Sequence, residues 1–188
     1  MKLPGATHLV CAFQYKRDAQ RFYRTLGKRL GKFGLTLALD KTKVINFSKL
    51  SKEDKTSFEF LGFEFRWGVS LRGTRCIKKR TSRKKLRKSL ESFKNWCIEN
   101  RNLRLKELFP MINAKLRGYY NYYGIIGNYH SLNEFYMKAK RILFRCLNRR
   151  SQRRSYNWEQ FKTVLEWHGM LTPRITEKRE KQLKMKFA

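Results

Sequence analysis

From Lys78 to Lys88, KKRTSRKKLRK, eight of eleven residues are basic and none is acidic. Such a run cannot enter a core, because buried charge without a partner is too costly. It can only begin or edge a folded element. It also divides the chain. Before it, apolar residues alternate or gather in short stretches, as in strands; after it, they recur every three or four positions, as in amphipathic helices. The expected organisation is an α/β unit over 1–77, a helical unit over 78–175 and a flexible charged tail over 176–188.

In the helical unit a first helix begins inside the basic run, with Leu86, Leu90, Phe93 and Cys97 on one face. ELFPMINAKLRGYYNYY, 107–123, predicts a second, with Leu108, Ile112, Leu116, Tyr119 and Tyr123 inward and Pro110 in its first turn. A third is expected to start at a capping box, Ser131 with Glu134, and to bury Leu132, Phe135, Ala139, Ile142 and Cys146. A short fourth over 157–167 has Asn157 as its cap and Trp158, Phe161 and Leu165 inward.

In the first unit HLVCAF, 8–13, reads as a buried strand. Asp18 then caps a helix whose apolar face is Ala19, Phe22, Leu26, Leu30 and Phe33, and Gly34 ends it. LTLAL, 35–39, and VINF, 44–47, read as strands linked tightly by Asp40–Lys43, and a polar loop covers 48–57. FEFLGFEFRW, 58–67, reads as one strand that slips register at Leu61–Gly62, as at a bulge. VSLRGTRCI, 69–77, is its hairpin partner, turning near Gly73.

The charge narrows the possible partners. With 45 Lys and Arg against 14 Asp and Glu, the net charge is +31, and a compact chain repels itself unless it meets a polyanion. Nucleic acid is the leading candidate, ahead of an anionic membrane surface. No apolar run approaches the ~20 residues of a membrane span. Pro4, Gly5 and His8 interrupt any leader-like stretch, so no signal peptide is expected. Cys11, Cys76, Cys97 and Cys146 lie far apart and form no CxxC; buried free thiols in a cytoplasmic setting, bacterial cytosol or organelle interior, are expected.

The clearest binding signal is Lys138, Arg141, Arg145 and Arg149, spaced to form one stripe on one helix, with Arg150 beside it. From 138 to 154 there are eight basic residues and no acid, whereas a merely solvated face mixes Glu with Lys. Lys84, Lys85 and Lys88 add a second strip. Of the cluster Tyr119, Tyr120, Tyr122 and Tyr123, the first and last read as core. Tyr120 and Tyr122 are candidates to stack on unpaired bases, although spacing alone favours core packing for most of the four. Catalysis finds little support. The chain has only three Asp, at 18, 40 and 54, no two of them close, and two-metal chemistry needs several carboxylates around one site. His8, His130 and His168 have no ligand spacing, and no phosphate loop or nucleophile elbow occurs. No metal or other cofactor is expected.

The order of these pieces resembles the C-terminal half of a group II intron-encoded reverse transcriptase and maturase, over about residues 5 to 175. In that family a palm hairpin bearing YADD is followed by a strand, a helix and GL-L---KT; here the pieces are LVCAFQYKRDAQRF and FGLTLALDKTKVINF. The primer grip FLGF is matched by Phe60, Leu61, Gly62 and Phe63. INAKLRGYYNYYG, SLNEFYMKAKRILFRCLNRR and LTPRI resemble the thumb and maturase region. The resemblance implies an α+β chain: a truncated reverse-transcriptase palm fragment, then an α-helical thumb and maturase bundle. It places Thr7 and His8 where YADD has its metal-binding aspartates, so RNA-directed DNA polymerase activity is not expected of this chain alone. Lys41 would lie near an incoming nucleotide, and Phe60–Phe63 would either hold a primer end or pack as core. The implied function is binding of structured RNA, group II intron RNA in particular, to assist folding and splicing. Three alternatives stand beside it: half of a split polymerase completed by an N-terminal chain, a non-functional remnant, or a general DNA-binding module.

Overall fold

The computed structural model describes residues 8–48, 56–150 and 155–177. These form an α+β protein of five helices and one sheet with strand order β1-β2-β3. The chain divides between Lys78 and Lys79 into two compact units.

In the first unit α1, Lys16–Gly31, has Tyr15 as its N-cap; Asp18, expected to cap, sits instead in the first turn, near the positive end of the helix dipole. Gly34 N–H donates to Gly31 O and Leu35 N–H to Leu30 O, the paired bonds that close a helix, with Gly34 at φ +68°. The expected strands 8–13, 35–39 and 44–47 do not form. Their backbones join no ladder, and Leu9, Leu39 and Val44 stay exposed. An apolar stretch becomes a strand only when its backbone pairs with a neighbour's; Phe47 meets Phe58 and Trp67 through its ring, and its backbone joins no ladder. The Asp40–Lys43 link is a turn, closed by the Thr42 N–H and hydroxyl donating to Ala38 O.

FEFLGFEFRW is a hairpin rather than one bulged strand. β1, Ser57–Phe60, pairs antiparallel with β2, Phe63–Val69, and Phe60 faces Phe63 across the turn. Leu61 at φ 48° and Gly62 at φ 80° are both left-handed, as a two-residue I′ turn requires. Two turn residues produce the same break in alternation as a bulge, which is why the sequence reads either way. The hairpin is held by rings: Phe58 stacks on its cross-strand partner Phe65 at 5.1 Å, and Phe47 meets Phe58 at 5.0 Å and Trp67 at 5.2 Å. β3, Arg75–Thr81, follows a turn at Gly73, where it was expected. Most of the polar loop, residues 49–55, lies outside the described residues. No described residue before Thr81 is buried.

The second unit has a closed core. The basic run is shared between the end of β3 and the start of α2, Arg83–Glu99, and the Ser82 hydroxyl accepts from Lys85 N–H to cap the helix. α3 is Leu105–Tyr123. It begins earlier than expected, so Pro110 falls in its second turn and leaves the Lys106 carbonyl without its usual helical donor. α4 is Tyr129–Leu147 and α5 is Trp158–Trp167. The Ser131–Glu134 capping box does not form, because α4 starts at Tyr129 and leaves Ser131 buried inside the helix. Asn157 does cap α5, with Gln160 completing a reciprocal box.

Leu86, Phe93 and Cys97 of α2 pack with Leu132, Phe135, Ala139 and Leu143 of α4, the closest helix pair. Leu108, Phe109, Ile112 and Leu116 of α3 and Phe161 and Leu165 of α5 complete the interior. Cys97 and Cys146 are buried, and the Cys97 thiol donates to Cys146. That bond holds Cys97 protonated and draws Cys146 below the usual thiol range. Cys11 is exposed and Cys76 half-buried, against the expectation of four buried thiols.

The segment after α5 is tied back to α3. Asn113 donates to Gly169 O and accepts from Leu171 N–H. Thr176 and Glu177, assigned to the tail from sequence, donate their N–H groups to Gly124 O; residues 178–188 lie outside the described residues. Gly124 has to be glycine, since a Cβ would collide with the Tyr120 carbonyl and the Thr176 hydroxyl.

Asn128 joins these elements. Its Oδ1 accepts from Thr81 N–H at 2.9 Å, and its Nδ2 donates to the Thr81 hydroxyl and the Tyr123 carbonyl, each at 2.9 Å. Asn128→Leu is expected to destabilise the protein by about 3 kcal/mol, because it leaves buried polar groups unpaired. Urea unfolding measures this; a midpoint equal to wild type would show that the three bonds contribute nothing net.

Candidate nucleic-acid interface

The residues singled out from sequence do not form one continuous strip. Lys84, Lys85 and Lys88 are exposed on the first turns of α2. Lys88 borders a hollow of about 360 Å³ with Lys115, Ser89, Ser92 and the rings of Phe93, Tyr119 and Phe135. Arg141 and Arg145 are exposed on α4 and border a different groove, of about 640 Å³, with Lys140, Met137, Phe144 and Trp158.

The stripe of four on α4 is broken at both ends. Lys138 is held in an ion pair by Glu134, four residues earlier, the pairing that a purely basic stripe would lack. Arg149 lies beyond the helix, which ends at Leu147 with Asn148 as its cap. Arg150 is half-buried; its Nε and Nη2 are enclosed without a hydrogen-bond partner, and burial lowers the pKa of the guanidinium. Arg141 and Arg145, and Arg149 past the helix end, remain as exposed cations with no ion pair among the described residues.

The tyrosine reading is corrected at one position. Tyr120 is fully buried, and its hydroxyl donates to Leu171 O at 3.2 Å. Burial raises its pKa, with Tyr136 and Tyr119 adding to the effect. The apolar stripe of α3 is wide enough to take the position four residues after Leu116 as well as the position three after. Tyr123 is core, as expected, and Tyr119 stacks on Phe135 at 3.7 Å. Tyr122 is 53% exposed and remains an accessible ring.

The groove on α4 was missed as a unit. Met137, Lys140, Arg141, Phe144 and Arg145 fall at helical spacing, so they share one side of α4 next to its buried face. Trp158, expected inward, is 36% exposed at the first position of α5. It meets Phe144 edge-on at 5.1 Å and Phe161 at a tilt at 5.6 Å. Asn148 brings α5 back against α4 by accepting from Tyr156 N–H at 2.7 Å. The spacing of 137, 140, 141, 144 and 145 is the signal that identifies this side; the arrival of Trp158 is not local and leaves no such trace.

The remaining positions lie in the first unit. Lys41 is exposed on the turn after Leu39. Phe60, Gly62 and Phe63 are half-buried and Leu61 exposed at the β1–β2 turn. Leu61 holds a left-handed φ that ordinarily costs a non-glycine residue about 1–2 kcal/mol. His8 is exposed, and Thr7 lies outside the described residues. Among the described residues no cluster of His, Cys, Asp and Glu is placed to hold a metal ion, and no helix is long and apolar enough to cross a membrane. No protein family, curated protein or solved structure matches the chain.

The two tyrosines are separable by experiment. Tyr120→Phe is expected to lose about 1 kcal/mol of stability with its buried hydrogen bond, and Tyr122→Phe less, because water can replace a bond lost at an exposed hydroxyl. Thermal or urea melts of the two variants check this, and equal melts would remove the distinction.

Proposed function

We propose that this chain is an RNA-binding protein of the group II intron maturase type, whose helical unit contacts structured RNA. The observation that carries the reading is the exposed pair Arg141 and Arg145, beside Lys140, on a groove with no acidic residue in its lining. Cations placed this way neutralise phosphates and release condensed counterions. Lys84, Lys85 and Lys88 offer a second set of phosphate contacts on α2. The order of sequence motifs supports a maturase rather than a general DNA-binding module, because LRGYYNYYG and the basic α4 fall in the family's order. The RNA-directed DNA polymerase activity of the family is not assigned to this chain, since Thr7 and His8 stand where the resemblance puts its aspartates.

The test is binding of the purified protein to a structured group II intron RNA, against duplex DNA and an unrelated RNA of equal length, over a range of salt. Intron RNA is expected to bind most tightly, and equal affinity for all three overturns the maturase reading. Arg141→Ala with Arg145→Ala is expected to weaken binding and to flatten the log–log salt slope by about one unit for each phosphate no longer neutralised. Lys138→Ala, with its charge already paired to Glu134, is expected to change the slope less. An unchanged slope in the double variant removes these arginines from the interface.

A second reading is favoured by the first unit. Leu9, Val10, Phe33, Leu35, Leu39, Val44 and Ile45 are exposed there, more apolar surface than scattered single residues would give. In this reading a separate chain bearing the rest of a palm covers that surface and completes a split polymerase. Primer extension on an RNA template by the reconstituted pair is then expected; no extension, beside an intact enzyme that extends, ends the reading.

A further inference from the structure

We infer that the groove between α4 and α5 takes one unpaired nucleobase, stacked on Trp158, with the flanking phosphates on Arg141 and Arg145. This rests on the RNA-binding reading and adds to it a distinction between single-stranded and paired nucleic acid. The groove is shallow and open to solvent, so a ligand would lie against it rather than inside it. Its lining combines three cations, Lys140, Arg141 and Arg145, with two aromatic rings, Phe144 and Trp158; Lys140 already lies over the Tyr136 ring, which leaves the two arginines for a ligand. An apolar ligand would leave the cations unused. An inorganic anion would leave the rings unused.

The neighbouring rings do not stack on Trp158. Phe144 meets Trp158 edge-on, with 81° between planes, and Phe161 meets it tilted at 40°. Neither lies parallel to the indole, which stays 36% exposed. A base has a flat π-face that can occupy that position whatever its identity, and such stacking tolerates any sequence. In a duplex the base faces are already stacked on their neighbours, so an unpaired base is the form that fits. Arg141 and Arg145, one helical turn apart, sit roughly 6 Å from each other along the axis and can engage phosphates on either side of the base. Glu159 follows Trp158 in the chain but does not line the groove.

The experiment uses the full chain, a single-stranded ten-nucleotide RNA with one 5-iodouridine, and a duplex RNA of the same length. Trp158→Leu is expected to weaken single-strand binding about tenfold while duplex binding holds, and Trp158→Phe to retain most of the affinity. Trp167→Leu, which changes an exposed ring at the other end of α5, is expected to have no effect. Photocrosslinking of the iodouridine to wild-type protein is expected to label Trp158. This measurement decides the matter if Trp158→Leu fails to fold. Single-strand affinity unchanged in a folded Trp158→Leu, or crosslinks that map elsewhere, overturns the groove while leaving intron RNA binding intact. Absence of wild-type binding to every RNA overturns both readings together.

Discussion

One buried amide holds the helical unit in register. Asn128 is 1% exposed and spends its side chain on Thr81 and Tyr123, residues on β3 and α3. It also stands at the N-cap position of α4, where an Asn usually turns its oxygen to the helix's own N–H groups. Here no side-chain cap bond forms. The local stabilisation of α4 is given up for a long-range one. The end of β3, the end of α3 and the start of α4 are thereby fixed at a single point, and the lead into α2 with them. Since α4 carries Arg141, Arg145 and Phe144, this residue fixes the start of the helix that bears the candidate interface, while the packing of α4 on α2 holds its length.

The two units resolve the same chemical problem differently. A net charge of +31 opposes any compact state, so apolar burial has to outweigh that repulsion. In the helical unit it does, with Leu, Ile and Phe side chains of four helices fully enclosed and the basic residues kept to helix ends and outer faces. In the first unit no described residue is buried, and order rests on ring contacts around Phe47, Phe58, Phe65 and Trp67 and on a two-residue turn. An amphipathic helix such as α1, with none of its residues buried, gains little from folding unless something covers its apolar face.

What the sequence revealed follows from the range of the forces involved. Helices were legible because their signal is local: Leu86, Phe93 and Cys97 mark the inner face of α2, and Asn157 marks the start of α5. The strands over 8–13, 35–39 and 44–47 were not, because alternation describes a surface and a strand needs a partner. The role of Asn128 was also out of reach, since its bonds to Thr81 span 47 residues. At the candidate site, exposure of Arg141 and Arg145 could be read from the helical pattern. Burial of Tyr120 was open to the same reading, on the wide apolar stripe of α3, whereas exposure of Trp158 was not, because it depends on how α5 returns to α4 through the Asn148–Tyr156 bond.

Charge counting therefore suggests a class of partner but gives a poor map of any interface. Of the basic residues around α4, Lys138 is already neutralised by Glu134 and Arg150 is partly enclosed, so a stripe drawn from spacing overstates what any polyanion could reach. In the proposed interface, Arg141 and Arg145 on the groove would gain specificity from their neighbours. A phosphate contact is sequence-independent and weakens steeply with salt, whereas stacking on an indole depends on a base being unpaired and is far less sensitive to salt. A groove that joins the two would hold a structured RNA at its single-stranded joints and loops and pass over its helices. That is the discrimination a protein needs if it is to act on a folded RNA rather than on any polyanion, and a uniformly basic face could not supply it.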